Sequence, residues 1–237
     1  MNFLSHAWVL GPDAPPLVYL GAALPDLWPH LSMRPLPKLV LDRLRAGDDG
    51  DGHVLAHGIA HHLQADAAFH RHPIFSRRVS LVAERAEPLL AESRWSTVFA
   101  HVLVEMLLDR WLIEGDPGLL DRYYGHFGQH ARERAATLAS DRDDMRRELA
   151  TLLDRFVELR FLADYTRSAG LAFRLVRTLG RVAVNLVADD RMDPLAALVA
   201  DLHVELAPGS EELLGDVARA VEEKLPPPPA VSLRAAS

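Results

Sequence analysis

Cysteine is absent from the sequence, which excludes disulfides and thiolate metal ligands and leaves imidazole and carboxylate as the groups able to hold a transition ion. No lysine or arginine precedes Arg34, and Pro12, Pro15, Pro16 and Pro25 interrupt the early apolar stretch. Such a start offers neither a signal peptide nor a membrane span, and the expectation is a cytoplasmic protein. Isoleucine and threonine are scarce while alanine, leucine and arginine dominate, so few side chains resist helix. A formal charge of −7 at pH 7 argues against nucleic acid as a partner, because neutralising phosphates needs a basic surface. No repeat at a fixed period is found, and no strand-like alternation competes with the helical pattern.

What is present is an ordinary globular composition, 49% hydrophobic and 25% charged over 237 residues, enough for one sizeable core. The expected fold is all-α, a single-domain helical bundle over residues 1–225. Amphipathic spacing and turn residues predict helices at 3–10, 16–24, 53–70, 74–91 and one opening at Ser96 and ended by Gly115. Later helices are expected at 119–138, 141–162, 164–186, 194–206 and 211–225. Gly47 to Gly52 reads as a loop, and the four prolines from Pro226 predict an extended, disordered tail over residues 226–237.

Side chains four apart share a helix face and can converge on one ion. Three sets have this spacing: His53, His57 and His61; His62, Asp66 and His70; and His101, Glu105 and Asp109. A lone histidine is more often packed or solvated than ligating. Carboxylates in a helix otherwise built of Val, Leu, Met and Trp are costly unless paired or metal-bound, although Arg110 offers Glu105 or Asp109 a neutralising partner instead.

The order of these residues resembles the acyl carrier protein phosphodiesterase family, helical metal-dependent enzymes related to the HD-domain phosphohydrolases. The resemblance is carried by Met1-Asn2-Phe3-Leu4-Ser5-His6, by Gly21 with Asp26 five residues on, by Gly58-Ile59, His62, Asp66 and His72-Pro73, and by the acidic helix from His101 to Trp111. It covers roughly residues 1–112. Ala22, His70 and Met106 depart from the family pattern, which has asparagine, aspartate and histidine there. The resemblance implies an HD-domain-like fold and a divalent ion, manganese first, with zinc, iron or magnesium left open. It implies ligands drawn from His6, Asp26, His62, Asp66 and Glu105, and the helical spacing adds His101 and Asp109 as candidates. Counting histidines would have favoured His53, His57 and His61 instead.

The implied reaction is hydrolysis of a phosphodiester, releasing 4'-phosphopantetheine from holo acyl carrier protein; because imidazole titrates near neutral pH, His61 and His70 are the candidate proton shuttles, the alternative being a solvated or ligand-supporting histidine. Two alternatives stay open: a related hydrolase acting on another phosphoester, such as a phospholipid head group or nucleotide, and a non-catalytic helical metal-binding or interaction protein. A carrier protein is acidic, and Arg167, Arg174, Arg177 and Arg181 fall close to one helix face. That face reads either as a docking stripe or as a solvated surface pairing with nearby acids.

Overall fold

The computed structural model describes residues 1–180 and 186–227. Every regular element among them is helical. Twelve α-helices follow in chain order: α1 (Phe3–Leu10), α2 (Pro16–Leu27), α3 (Pro37–Ala46), α4 (Gly50–Phe69), α5 (Pro73–Ala86), α6 (Ser96–Gly115), α7 (Leu119–Gly125), α8 (Gln129–Ala139), α9 (Asp143–Leu159), α10 (Ser168–Leu179), α11 (Met192–Leu206) and α12 (Ser210–Glu222). The all-α expectation holds. No helix among the described residues is long and apolar enough to cross a membrane. The tail from 228 and the expected helical residues 181–185 lie outside the described residues.

Capping chemistry sets several helix starts. Pro16 and Pro37 stand at first helical positions, where the missing N–H is no loss. The Asp49 carboxylate accepts from the amides of Asp51 and Gly52, so α4 begins three residues before the expected 53. His72 caps α5, its Nδ1 accepting from Ile74 N at 3.2 Å while Nε2 faces Asp216 at 3.1 Å. The expected helix 119–138 is broken into α7 and α8 at His126-Phe127-Gly128. The expected helix from 164 is a 3-10 turn (Phe161–Thr166) followed by α10.

Contacts divide the chain into two compact units, each assembled from separate stretches of sequence. The first comprises Met1–Ser5, Ala68–Leu120 and Phe161–Asp216. Its axis is α6, where Phe99, Leu103, Val104, Leu107, Leu108 and Leu112 are all buried. Helices α5 and α11 pack on α6, and α10 packs on both α6 and α11. Arg78, itself buried, donates from Nη2 to the carbonyls of Leu206 and Pro208 and to Ser210 Oγ, closing the turn between α11 and α12.

The second unit comprises His6–Ala67, Asp121–Arg160 and the described residues from Val217. Tyr123, Tyr124, Phe127 and Phe156 form an aromatic cluster beneath α8 and α9, with ring centroids 5.0–6.3 Å apart. Helix α8 also contacts α2 and α3. Arg134 on α8 binds both Asp49 and Asp51, which fixes the start of α4 to this unit.

Candidate metal centre

The site in the second unit begins with two glycines. A Cβ added to Gly58 would lie 2.2 Å from the Val18 carbonyl oxygen, and one added to Gly21 would lie 2.4 Å from that of Leu55. Only hydrogen at both positions lets α2 and α4 cross backbone to backbone. One turn beyond Gly58 on α4, His62 Nδ1 donates to the carbonyl of Ala22, the residue after Gly21 on α2, at 2.7 Å. A carbonyl has no proton to give, so a hydrogen resides on Nδ1 and Nε2 is the nitrogen directed at the carboxylates. Asp66 Oδ2 lies 3.4 Å from Nε2, and Asp26 Oδ1, one turn beyond Ala22 on α2, lies 3.9 Å away.

Helix α1 brings in His6, whose Nε2 is 3.3 Å from Asp66 Oδ1 and whose ring stacks on that of His62 with centroids 3.9 Å apart. Both ring nitrogens of His6 are buried without a hydrogen-bond partner. Burial, and then the neighbouring His62 ring, hold the His6 pKa well below the usual histidine range, so the ring is uncharged, with one nitrogen protonated and the other offering a lone pair. Burial acts the same way on His62, but Asp26 and Asp66 outweigh it and raise its pKa. Burial would raise Asp66, yet the two imidazoles hold it below the ordinary carboxylate range. In a tetrahedral site with bonds of roughly 2.0–2.1 Å, neighbouring ligand atoms stand about 3.3 Å apart. His6 Nε2 lies 3.3 Å from Asp66 Oδ1 and His62 Nε2 lies 3.4 Å from Oδ2, each near that spacing but to a different oxygen of the carboxylate. His6, His62 and Asp66 each have a ligand atom within 4.8 Å of the others and so could hold a divalent ion, and Asp26 Oδ1 lies 3.9 Å from His62 Nε2.

A second cluster forms in the first unit. His70 Nε2 and His101 Nε2 lie 3.1 and 3.0 Å from Glu105 Oε1, and the Met1 ammonium meets the same oxygen at 3.0 Å. Burial pushes Glu105 up, but the ammonium and then the imidazoles hold it below the usual carboxylate range. The residue types suit a metal here too. The difference lies in satisfaction: His70 is hydrogen-bonded to Glu105, and three donors already converge on one oxygen.

The face-sharing sets of the sequence are thus regrouped. His62 and Asp66 join His6, while His70 joins His101 and Glu105. Asp109 joins neither: its oxygens accept from Leu4 N (3.1 Å), Ser5 N (2.8 Å) and Ser5 Oγ (2.7 Å), so it anchors the first turn of α1. Arg110 neutralises neither Glu105 nor Asp109 and instead binds Glu114 and Ser168. His61 is buried, and that burial, followed by the charges of His57 and His62, drops its pKa to about 4. It is uncharged at neutral pH and ill matched to shuttling protons there. His53 and His57 enter neither cluster.

Sequence reasoning missed the Ala22 carbonyl, the Leu4 and Ser5 donors to Asp109, and the Met1 contact to Glu105. The pairing of Gly21 with Gly58 was the available signal for the first of these. Compared with protein-family models, curated proteins and solved structures, the chain matches none.

Proposed function

We propose that the second unit holds one divalent transition ion between His6, His62, Asp66 and Asp26, and that the protein hydrolyses a phosphodiester there. The observation that carries this reading is His62, whose Nδ1–H is fixed on a backbone carbonyl so that Nε2 faces two carboxylates. Buried His6 supports it, since its Nε2 faces Asp66 Oδ1 at 3.3 Å and its Nδ1 has no hydrogen-bond partner. Two imidazoles and two carboxylates suit Mn, Fe or Zn, and the resemblance to the carrier-protein phosphodiesterases favours Mn. The hydrogen-bonded network at His70, His101 and Glu105 receives no ion in this reading.

A divalent ion at this position supplies Lewis acidity for water and phosphate. The chain's own residues do the rest. His6 and His62 would each offer Nε2 as a ligand atom, and the two carboxylates would balance the ion's charge. The imidazoles are buried while the Asp26 and Asp66 side chains are 26% and 28% exposed, so solvent and substrate reach the site from the carboxylate side. With holo acyl carrier protein as substrate, one water is consumed, the bond from phosphorus to the serine oxygen breaks, and 4'-phosphopantetheine and the serine hydroxyl are released.

Metal analysis of the purified protein, reconstituted with Mn, tests the reading together with mass spectrometry of holo acyl carrier protein incubated with it. One ion per chain and loss of the phosphopantetheine mass are expected. His62→Ala and Asp66→Ala should each weaken metal binding beyond the roughly 10–100-fold typical of outer-shell substitutions, whereas His101→Ala should retain the ion. A protein that takes up no metal sinks the proposal. Metal uptake with turnover of a simple phosphodiester but not of the carrier protein moves the reading to another phosphoester.

A further inference from the structure

We propose that the segment from Met33 to Leu39, in the second unit, is a docking surface for an anionic phospholipid bilayer. Among the described residues, eight large apolar side chains are exposed, and three of them fall in this short stretch: Met33 (50%), Leu36 (64%) and Leu39 (63%). The remaining five are scattered along the chain. Exposed apolar side chains occurring singly are unremarkable, whereas a contiguous group calls for a partner.

Charge identifies the partner. The protein carries −7 overall, yet residues 27–41 contain no aspartate or glutamate. Arg34 and Lys38, both exposed, alternate with the apolar residues, and among the described residues neither has an ion-pair partner. Glu148, the acid that reaches this stretch, has both oxygens on Ser32, one accepting from its amide and one from its hydroxyl. Arg142 adds a further guanidinium beside Met33 Sδ, although it is itself paired with Asp144.

Aliphatic side chains flanked by long cationic stems have the composition that enters a headgroup layer, the alkyl groups sinking while the charges stay at phosphate level. Pro35 and Pro37 restrict the backbone, so presenting these side chains costs little ordering entropy. A specific protein partner would instead draw on aromatic and arginine anchors in a packed interface, and this stretch carries no aromatic residue. The surface requires no metal and is independent of the hydrolase reading.

Flotation of the chain with lipid vesicles tests the proposal. The protein should float with phosphatidylcholine vesicles that contain phosphatidylglycerol and stay behind with phosphatidylcholine alone. Arg34→Glu with Lys38→Glu should lower partitioning by at least about thirtyfold, the effect of losing two cations near an anionic surface. Leu36→Asp with Leu39→Asp should abolish flotation. Both pairs alter exposed side chains, so neither should lower the melting temperature, and Leu36→Asp, at the N-cap of α3, should raise it; Arg34→Gln with Lys38→Gln replaces the reversal if the reversal lowers it. A wild type that does not float with anionic vesicles overturns the proposal, as do variants that float like the wild type. If the wild type stays behind but captures holo acyl carrier protein, and both pairs abolish that capture, the surface belongs to an acidic protein and the bilayer assignment is wrong.

Discussion

Burying a carboxylate without a counter-charge raises its pKa, and Asp109 is where this chain accepts that cost. Burial pushes it up to about 7 even though Ser5 and Leu4 donate three hydrogen bonds to it. A folded-state pKa above the ordinary 3.8 means that the stabilisation is complete below the unfolded value and is lost as pH rises through about 7. Asp109→Asn removes this linkage and turns one acceptor into an amide facing the Leu4 N–H, a loss of roughly 1–3 kcal/mol. Because the wild type gains from protonation, the substitution should cost more at pH 5 than at pH 8. Urea midpoints of both proteins across that range check it, and equal costs at the two pH values would refute the assignment. None of this was legible in the sequence, where Asp109 completed an apparent ligand face with His101 and Glu105. Spacing along one helix shows which side chains align, but it does not show which donors another segment brings against them.

Between elements, the decisive contact is the crossing of α2 and α4 at Gly21 and Gly58. Gly58→Ala should force the helices apart, because a methyl 2.2 Å from the Val18 oxygen leaves no room for both. Roughly 1–3 kcal/mol of stability should be lost by overpacking, and Mn affinity should fall with it as Ala22 withdraws from His62. Denaturation and metal titration of the same variant read both effects. Gly52→Ala, whose new methyl meets nothing closer than 3.6 Å, serves as the control. Helix content and most helix ends were readable from capping and turn residues. Helix α3 was not, because Pro35 and Pro37 resemble a loop until Pro37 is recognised as a first helical position. The arginine face at α10 resolves locally: Arg167 and Arg174 both pair with Asp164, and Arg177 lies over Phe173. Arg181, its fourth expected member, lies outside the described residues.

At the scale of the molecule, the two units are each woven from distant stretches, and α4 contributes to both, changing unit after Ala67. Sequence reading saw one bundle without an internal linker, because no composition shift marks a boundary inside a continuous helix. The proposed ion belongs to the second unit alone. An ion present at a hundred times its dissociation constant stabilises the state that binds it by about 2.7 kcal/mol. Chelation should therefore speed amide exchange in α2 and in α4 up to Ala67, while α10 and α11 keep their rates. Hydrogen exchange with and without chelator measures this. Equal acceleration everywhere would show that the ion stabilises the whole chain as one cooperative body.

The hydrogen bond from His62 to Ala22 has a genetic corollary. Its acceptor is a peptide carbonyl, so no codon change at position 22 can delete it. Substitution there is filtered for size, since Ala22 is 3% exposed, and leaves the tautomer of His62 in place wherever the new side chain fits. Mutational scanning would register position 22 as a small-residue site and would credit the imidazole's orientation to no residue at all.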